Sequence, residues 1–271
     1  MRRARKGALA ALGVLYLSAI CAGFLAPYDP AAQDRDLAFS PPSRLHVLGT
    51  DGFGRDQFSR LLYGARISLL AGPLGAAISI AGALLLGGAA GFFGGWIDSL
   101  IMRAAELFLA VPWFYLLFAV RMMMPLRVEP AQAFLMILSL VALVGWARPA
   151  RLIRGVVLSA RTRDYVVAAR SLGASNVHLL RKHVLPQVTG VVSTQAALLA
   201  PQYILAEATL SFFGLGVGEP VPSWGNMLTV LQRYDVLSSY WWMFMPAAAL
   251  VTTILLYSML AETVHDWPAV R

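Results

Sequence analysis

The sequence is poor in charge and almost without cysteine. Charged residues make up 13% of its 271 positions, whereas an average soluble protein carries about 25%. Cys21 is the only cysteine, which excludes an intrachain disulfide and a cysteine-rich metal site. No G-x-x-x-x-G-K-S/T motif occurs, so the chain does not hold ATP phosphates as a P-loop protein does. These absences exclude a disulfide-stabilised secreted domain and a P-loop ATPase.

Catalytic and metal-binding patterns are also missing from the sequence. The four histidines lie at spacings that do not suit one shared metal ion, and no nucleophile stands beside a suitable base. The net charge of +8 belongs to no basic, aromatic-rich soluble domain, so nucleic-acid binding has no support. We therefore expect a protein with no enzymatic activity, no metal and no cofactor of its own.

Long uncharged runs fill most of the chain. A membrane-spanning helix needs about 20 apolar residues. Five runs contain no Asp, Glu, Lys or Arg: residues 8–26, 67–97, 131–147, 184–206 and 236–261. A sixth candidate, residues 100–120, contains only Arg103 and Glu106. The sequence predicts an all-α integral membrane protein with six transmembrane helices, and the second helix is expected to end within 87–97.

The distribution of Lys and Arg predicts how these helices are oriented. With the N-terminus inside, the inner segments hold most of the 22 Lys and Arg residues, as the positive-inside rule requires. Because basic residues precede the first run, a cleaved signal peptide is the alternative to an uncleaved first helix. The predicted parts are a cytoplasmic N-terminus (1–7), a membrane domain (8–265) with outer loops at 27–66 and 214–240 and an inner loop at 148–187, and a cytoplasmic C-terminus (266–271).

Three glycines near the end of the second predicted helix recur at every fourth position. Gly87, Gly91 and Gly95 leave room for a second helix to approach closely, which is how helices associate in lipid. Two explanations remain open at this point. The stripe packs against another helix of the same chain, or it contacts a second membrane subunit.

Three ionisable residues lie within or at the ends of predicted membrane helices. Arg103 and Glu106 are three residues apart and share one helix face, so they can form an ion pair. Glu207 follows the long uncharged run of the fifth helix. Intramembrane charges are often functional, and these residues are candidates for a transport pathway or gate. The alternatives are a stabilising pair for the first two and structural hydrogen bonding for Glu207.

The predicted inner loop has the pattern of two short helices joined by a bend. Thr162 is placed to cap the first helix, with Asp164 in its first turn. Gly173 suits a left-handed helix end, and a second helix from Asn176 is expected to stop at Pro186. Such a pair forms a compact knob, and the surrounding cations favour an acidic partner surface or the inner membrane leaflet.

This loop resembles the cytoplasmic coupling loop of ABC-importer permeases. The family spacing has two alanines, a glycine four residues after the second alanine, and a later apolar–proline pair. Where the family often has Glu before the alanines, this chain has Val167, which puts a polar contact at that position in doubt. The resemblance implies a contact with a partner ATPase through Asp164, Tyr165, Ala168, Ala169, Arg170, Leu172, Gly173, Ala174, Leu185 and Pro186.

Two predicted outer stretches resemble the dipeptide, oligopeptide and nickel permeases of that family. Residues 49–69 are similar to GTDxxGRDxxSRLLYGARISL, and residues 220–228 are similar to PxPSWGxML. The stretch that begins at Glu207 is similar to EAxLSFLGLG. The resemblance implies an outer mouth near a docked binding protein, with the candidate residues Gly49, Thr50, Asp51, Gly54, Arg55, Asp56, Pro222, Ser223, Trp224 and Gly225.

The resemblance covers about residues 8–265 and implies an ABC type I importer permease in the cell (inner) membrane. A second homologous permease would complete the pathway, two ATP-binding cassette ATPases would hold ATP and Mg²⁺, and an extracytoplasmic substrate-binding protein would deliver the substrate. Dipeptides or oligopeptides are the first expected substrate, and nickel or another small solute is the alternative. Two other classes stay open: an ATP-independent channel or secondary transporter, and a membrane scaffold without a transport role.

Overall fold

The computed structural model describes residues 2–125 and 128–265, and the predicted C-terminal segment 266–271 lies outside them. The described residues are almost entirely helical and contain no β-strand, which confirms the all-α prediction. In chain order the helices are α1 (Arg2–Ile20), α2 (Ala22–Leu25), α3 (Gln57–Phe93), α4 (Gly95–Ala110), α5 (Trp113–Met122), α6 (Pro130–Gly145), α7 (Ala147–Arg161), α8 (Asp164–Ser171), α9 (Asn176–Leu179), α10 (Thr189–Phe212), α11 (Trp224–Met227), α12 (Tyr234–Ser239) and α13 (Met245–His265).

The 37-residue helix α3 is the element around which the others pack. It begins where the Asp56 carboxylate accepts a hydrogen bond from the Ser59 amide, at 2.7 Å, as a helix N-cap does. Along its length it contacts α1, α4, α6, α7 and α10. It ends at Phe93, because Gly94 takes a φ of +70° that breaks the helical path. The expected end of this helix within 87–97 is therefore confirmed.

Six helical units follow one another in the predicted order. Among the described residues, and by length and composition alone, two segments can cross a membrane, namely α3 and Trp241–Ala261, and up to four can if each bent pair is one span. The bent pairs are α4 with α5, at 88°, and α6 with α7, at 43°. The remaining units are α1, whose apolar part is the shorter Lys6–Ile20, and the 24-residue α10, which carries Gln195 and Glu207 among its apolar residues.

The structure corrects three of the predicted helix boundaries. Residues 100–120 do not form one straight helix, because Pro112 has no amide hydrogen and forces the residue before it out of helical geometry. The fifth predicted helix, 184–206, lies five to six residues too early, since π and 3-10 turns precede α10. The sixth, 236–261, begins too early because α12 and a further 3-10 turn occupy its first residues.

The main hydrophobic core lies between α3, α6 and α10. Ile137 and Leu140 of α6 are almost completely buried, and they belong to one cluster with Leu199 and Leu210 of α10 and Ala76 of α3. Because these side chains are closely packed against one another, they fix the relative position of the three helices. The two ends of this helical body carry the candidate sites.

The glycines of the predicted stripe pack within the chain. A Cβ on Gly87 would overlap the carbonyl of Ala150 in α7, and a Cβ on Gly91 would lie 2.9 Å from the carbonyl of Arg154. Gly95 has open space around it and a φ of +58°, and it is the first residue of α4, so it does not belong to the stripe on α3. Intrachain packing is confirmed for two of the three glycines, and it brings α3 and α7 into backbone contact.

Replacing Gly87 with valine is expected to destabilise the fold. The new side chain pushes α7 away from α3, and overpacking of this kind costs about 1–3 kcal/mol. The thermal unfolding midpoint of the purified protein in detergent should fall clearly. Gly88→Val is the matched control, because a Cβ at Gly88 meets no atom within 4 Å. Equal midpoints for the two variants would show that the α3–α7 contact does not hold the helices together.

Candidate functional site

Residues 162–187 of the predicted inner loop fold as two short helices joined by a tight turn, whereas its first residues, 148–161, belong to α7. At the end of α8 the Gly173 amide donates to the Arg170 carbonyl at 3.0 Å, and the Ala174 amide donates to the Ala169 carbonyl at 3.1 Å. This is a Schellman helix end, and the φ of +85° at Gly173 confirms the predicted left-handed conformation. We call residues 162–187 the knob.

Two details of the knob differ from the prediction. Thr162 does not cap α8, because Arg163 occupies the capping position. The Thr162 hydroxyl donates to the Ser159 carbonyl at 3.0 Å. Asp164 lies in the first turn, as predicted. The helical path does not end at Pro186. It continues through a 3-10 turn into α10, because proline is tolerated in the first turn of a helical segment.

The knob is fixed to the ends of α3 and α7. Val166 of α8 and Leu179 of α9 are fully buried in one hydrophobic cluster with residues of α7. The guanidinium of Arg161 donates to the carbonyls of Gly91 and Phe92, at 3.0 and 3.1 Å, which are among the last carbonyls of α3 and have no helical partner. The knob therefore packs directly on α7, and Arg161, the last residue of α7, ties that helix to the end of α3.

The outward surface of the knob is apolar with a basic rim. The side chain of Leu172 is 89% exposed, and Tyr165, Val167 and Val177 also lie on the surface. Exposed large apolar side chains that lie close together are typical of a binding surface for another protein. The exposed cations around them are Arg163, Arg170, Arg181 and Lys182.

The residues predicted to couple the chain to an ATPase all lie on the knob. Ala169, Ala174 and Leu185 are half-buried against the rest of the chain, and the others are exposed. Val167, at the position where the family often has Glu, is exposed as well, so the surface offers an apolar contact there. Their contact with an ATPase stays a prediction.

Arg103 and Glu106 form an open pair on α4. The nearest atoms, Nη1 of Arg103 and Oε2 of Glu106, are 4.0 Å apart, and both side chains are exposed. An exposed pair at this distance contributes little to stability. Neither residue contacts Glu207, whose hydrogen-bond partners lie on α3 and α10. A gate that includes these three residues therefore stays a prediction.

The carboxyl group of Glu207 is completely buried among serine hydroxyls. Its Oε2 accepts a hydrogen bond from Ser68 of α3 at 2.8 Å, and its Oε1 accepts one from Ser211 of α10 at 2.7 Å. The same hydroxyls accept hydrogen bonds from backbone amides, Ser68 from Trp224 at 3.0 Å and Ser211 from Val217 at 3.2 Å. Glu207 thus joins two membrane helices to the predicted outer loop that follows α10, which favours a structural role.

Two arginines and two carboxylates connect the predicted outer loops. The Arg55 guanidinium donates to both oxygens of Glu219, at 2.7 and 3.1 Å, and its Nε donates to Asp51 at 2.7 Å. Arg60 Nη2 donates to Glu219 at 2.8 Å. Burial alone would raise the pKa of Glu219, but the charge of Arg60 and the hydrogen bonds from Arg55 outweigh it and hold that pKa below its ordinary value. The loops therefore meet through charged groups.

The first predicted outer loop has a closely packed backbone. A Cβ at Gly54 would overlap the carbonyl of Asp34, and Gly54 has a φ of +71°. The carbonyl of Thr50 accepts a hydrogen bond from the Trp242 indole at 3.1 Å. Asp56, besides capping α3, lies 2.9 Å from a ring nitrogen of His46. These contacts make the loop a folded unit.

The second predicted outer loop packs against α3 and α10. Ser223 and Asn226 form a capping box at the start of α11. The buried Trp224 donates its indole N–H to the Leu61 carbonyl at 3.0 Å. A Cβ at Gly225 would overlap the carbonyl of Ala208, so only glycine allows α11 to lie this close to α10. Pro222 is buried beside them. Gly49, the last outer-mouth candidate, lies in the first loop with a φ of +67°, and a Cβ there would overlap the carbonyl of Ser40.

Sequence reasoning missed two residues that hold these loops in place. Glu219 is the shared partner of both arginines, and Ser68 links Glu207 to α11. A local pattern gives no signal for either, because the residues they bind lie far away in the chain. The sequence offers one cue for Glu219: it is the only carboxylate between α10 and α11, and the other predicted outer loop contains several arginines.

The fold and these two sites define an all-helical membrane protein. The knob lies near the C-terminal end of α3, and the two interlocked loops lie near its N-terminal end. The model of binding-protein-dependent transport system inner membrane components matches residues 83–267. The chain belongs to this family.

Three relatives show how far the similarity extends. The dipeptide transport system permease protein of Bacillus subtilis (strain 168) is 36% identical over 271 residues, which cover 98% of this chain and 82% of the relative. The oligopeptide transport system permease protein of the same organism is 35% identical over 98% of this chain and 87% of its own length. The di/tripeptide transport system permease protein of Pseudomonas aeruginosa (strain UCBPP-PA14) is 37% identical over 96% and 87%.

Proposed function

We propose that this chain is the permease subunit of an ATP-binding cassette importer for dipeptides or oligopeptides. The names of its relatives support the substrate class, and their similarity extends over nearly the whole chain. The observation that carries the mechanism is the knob, an exposed apolar and basic surface fixed by buried side chains to α3 and α7.

The knob transmits force from ATPases that bind it from the cytoplasm. Those partners hold ATP and Mg²⁺ and hydrolyse the nucleotide, while this chain supplies no catalytic group. When the two ATPases close on ATP, they move the knob, and the buried contacts of Val166 and Leu179 carry that displacement into α7. The permease then passes between inward-open and outward-open states, each favoured by a different state of the ATPases.

The remaining partners follow from the same assignment. A second homologous permease completes the pathway, and the N- and C-termini lie in the cytoplasm of a cell whose inner membrane holds the complex. The interlocked loops at 27–66 and 214–240 then face the extracytoplasmic binding protein. Their folded structure suits a docking surface, because preformed surfaces lose little conformational freedom on binding.

Affinity purification of the chain from its native membrane tests this proposal. We expect a second permease and two P-loop ATPases to co-purify, as identified by mass spectrometry. The purified complex, reconstituted in liposomes with its binding protein, should import a labelled dipeptide only with ATP. A chain that purifies alone, under conditions that preserve comparable complexes, or uptake that is independent of ATP, would contradict the proposal.

A further inference from the structure

The arginine–carboxylate cluster lies in the wall of a cavity between the two predicted outer loops. The cavity has a volume of about 550 Å³, which lies within the range of about 300–1,000 Å³ for small-molecule sites. The charged part of its lining is Asp51, Arg55, Arg60, Glu219 and Arg233, of which Arg233 pairs with Asp235 instead of with the other four. Its apolar part is lined by Phe39, Phe53, Val217, Met227, Val230 and Met243.

Arg55 and Arg60 are the buried cations of the charged wall. The side chain of Arg60 is 2% exposed and that of Arg55 is 8% exposed. Asp51 is similarly buried and pairs with both of them, at 2.7 Å from Arg55 and 3.5 Å from Arg60. Two converging guanidinium groups are the arrangement that proteins use to bind a carboxylate tightly, because each offers several N–H donors in one plane.

Glu219 is the member of the cluster that is most exposed to solvent. Its side chain is 47% exposed, although it accepts hydrogen bonds from both buried arginines. It lies outside the helices, between α10 and α11, and a Cβ at the neighbouring Gly218 would meet no atom within 4 Å, so there is open space beside this residue. Without Glu219, the cluster would hold two guanidinium groups and only the Asp51 carboxylate, which leaves one positive charge to neutralise.

We propose that this cavity binds a peptide through its terminal carboxylate, which takes the place of the Glu219 side chain between Arg55 and Arg60. The apolar lining then receives the peptide's side chains. This inference rests on the proposed function, because it takes the peptide substrate from it. A small ligand suits the site better than a protein surface does, since both arginines lie below the surface.

Glu219 competes with the ligand in this arrangement. The apparent affinity of a site falls in proportion to the fraction of molecules in which the site is open. An internal carboxylate that occupies the arginines most of the time therefore keeps the affinity low, which suits a permease that must release its substrate onward. Removing the negative charge of Glu219 should raise the affinity for a carboxylate ligand.

Peptide binding to the assembled transporter in lipid nanodiscs, without the binding protein, tests this inference. The probes are Ala-Phe and its C-terminal amide, measured by equilibrium dialysis. Glu219→Gln keeps the size of the side chain and removes its charge, and it should bind Ala-Phe about tenfold more tightly than the parent protein does. Binding of the amide should not change. Asp36→Ala, which removes an exposed carboxylate from the same outer loop, is the control and should match the parent.

The two proposals fail in different ways. Equal affinity of Glu219→Gln for the acid and the amide, or no binding of either, would overturn the carboxylate site while ATP-driven dipeptide uptake still supports the importer. A change only in the affinity for the binding protein would show that the cluster is a protein docking surface instead. Absence of any dipeptide uptake by the parent complex would reject the importer assignment itself.

Discussion

Gly173→Val abolishes coupling while the chain still inserts into the membrane. Gly173 has a φ of +85°, and a left-handed conformation costs a residue with a side chain about 1–2 kcal/mol. Valine escapes this cost by changing the turn between α8 and α9, which moves Leu172 and the rest of the exposed surface. We expect ATP-driven uptake to fall to background, because the displaced surface no longer fits the partner ATPase.

Gly95→Val is the matched control for this experiment. Gly95 also has a positive φ, of +58°, and a Cβ meets no atom within 4 Å at either glycine. The control therefore carries the same backbone strain outside the knob and should retain most of the uptake. Membrane content is measured by immunoblot, and ATPase association by co-purification. Full uptake and normal ATPase association in Gly173→Val would show that the knob is not the coupling element.

The local features of the knob could be predicted because their causes are local. A glycine after a short helical run predicts a left-handed helix end, and the structure has one at Gly173. The capping residue was less predictable, because α8 begins one residue later than Thr162 requires and Arg163 occupies the capping position. Thr162 instead lies at the end of α7, where its hydroxyl donates to the Ser159 carbonyl.

Contacts between residues that lie far apart in the chain could not be predicted from the sequence. Arg55 and Glu219 are 164 positions apart, and Ser68 and Glu207 are 139 apart. No periodicity or spacing links such pairs, because the packing of α3 against α10 decides which residues meet. The packing partner of Gly87 and Gly91 was left open for the same reason, and the structure assigns it to α7.

Uninterrupted apolar runs predict straight membrane helices, and this prediction fails where a proline breaks the helix. Pro112 breaks the third helical unit, and the units α4 and α5 meet at 88°. An apolar run shows that a segment avoids water, but it carries no information about the direction of the chain within that segment. The order of the helical units was therefore predictable, and their bounds were not.

Glu207→Ala is expected to destabilise the protein strongly. The change removes the acceptor of Ser68 and Ser211, which are completely or almost completely buried, and leaves an empty volume between α3 and α10. An unsatisfied buried polar group costs about 1–3 kcal/mol, and the cavity adds to that cost. The thermal unfolding midpoint in detergent should fall by many degrees, and the loop from 213 to 223 should become sensitive to protease.

Comparison with Glu207→Gln and Glu106→Ala separates the structural role from a pathway role. Glutamine keeps the volume and one acceptor oxygen, so it should lose much less stability than alanine does. Glu106 is exposed, and its removal should leave the midpoint unchanged. A Glu207→Ala protein with a normal midpoint and lost uptake would instead place this carboxyl group in the transport pathway. Since its hydrogen-bond partners hold α3, α10 and the loop before α11 together, we expect stability and protease resistance to fall first and uptake to fall with them.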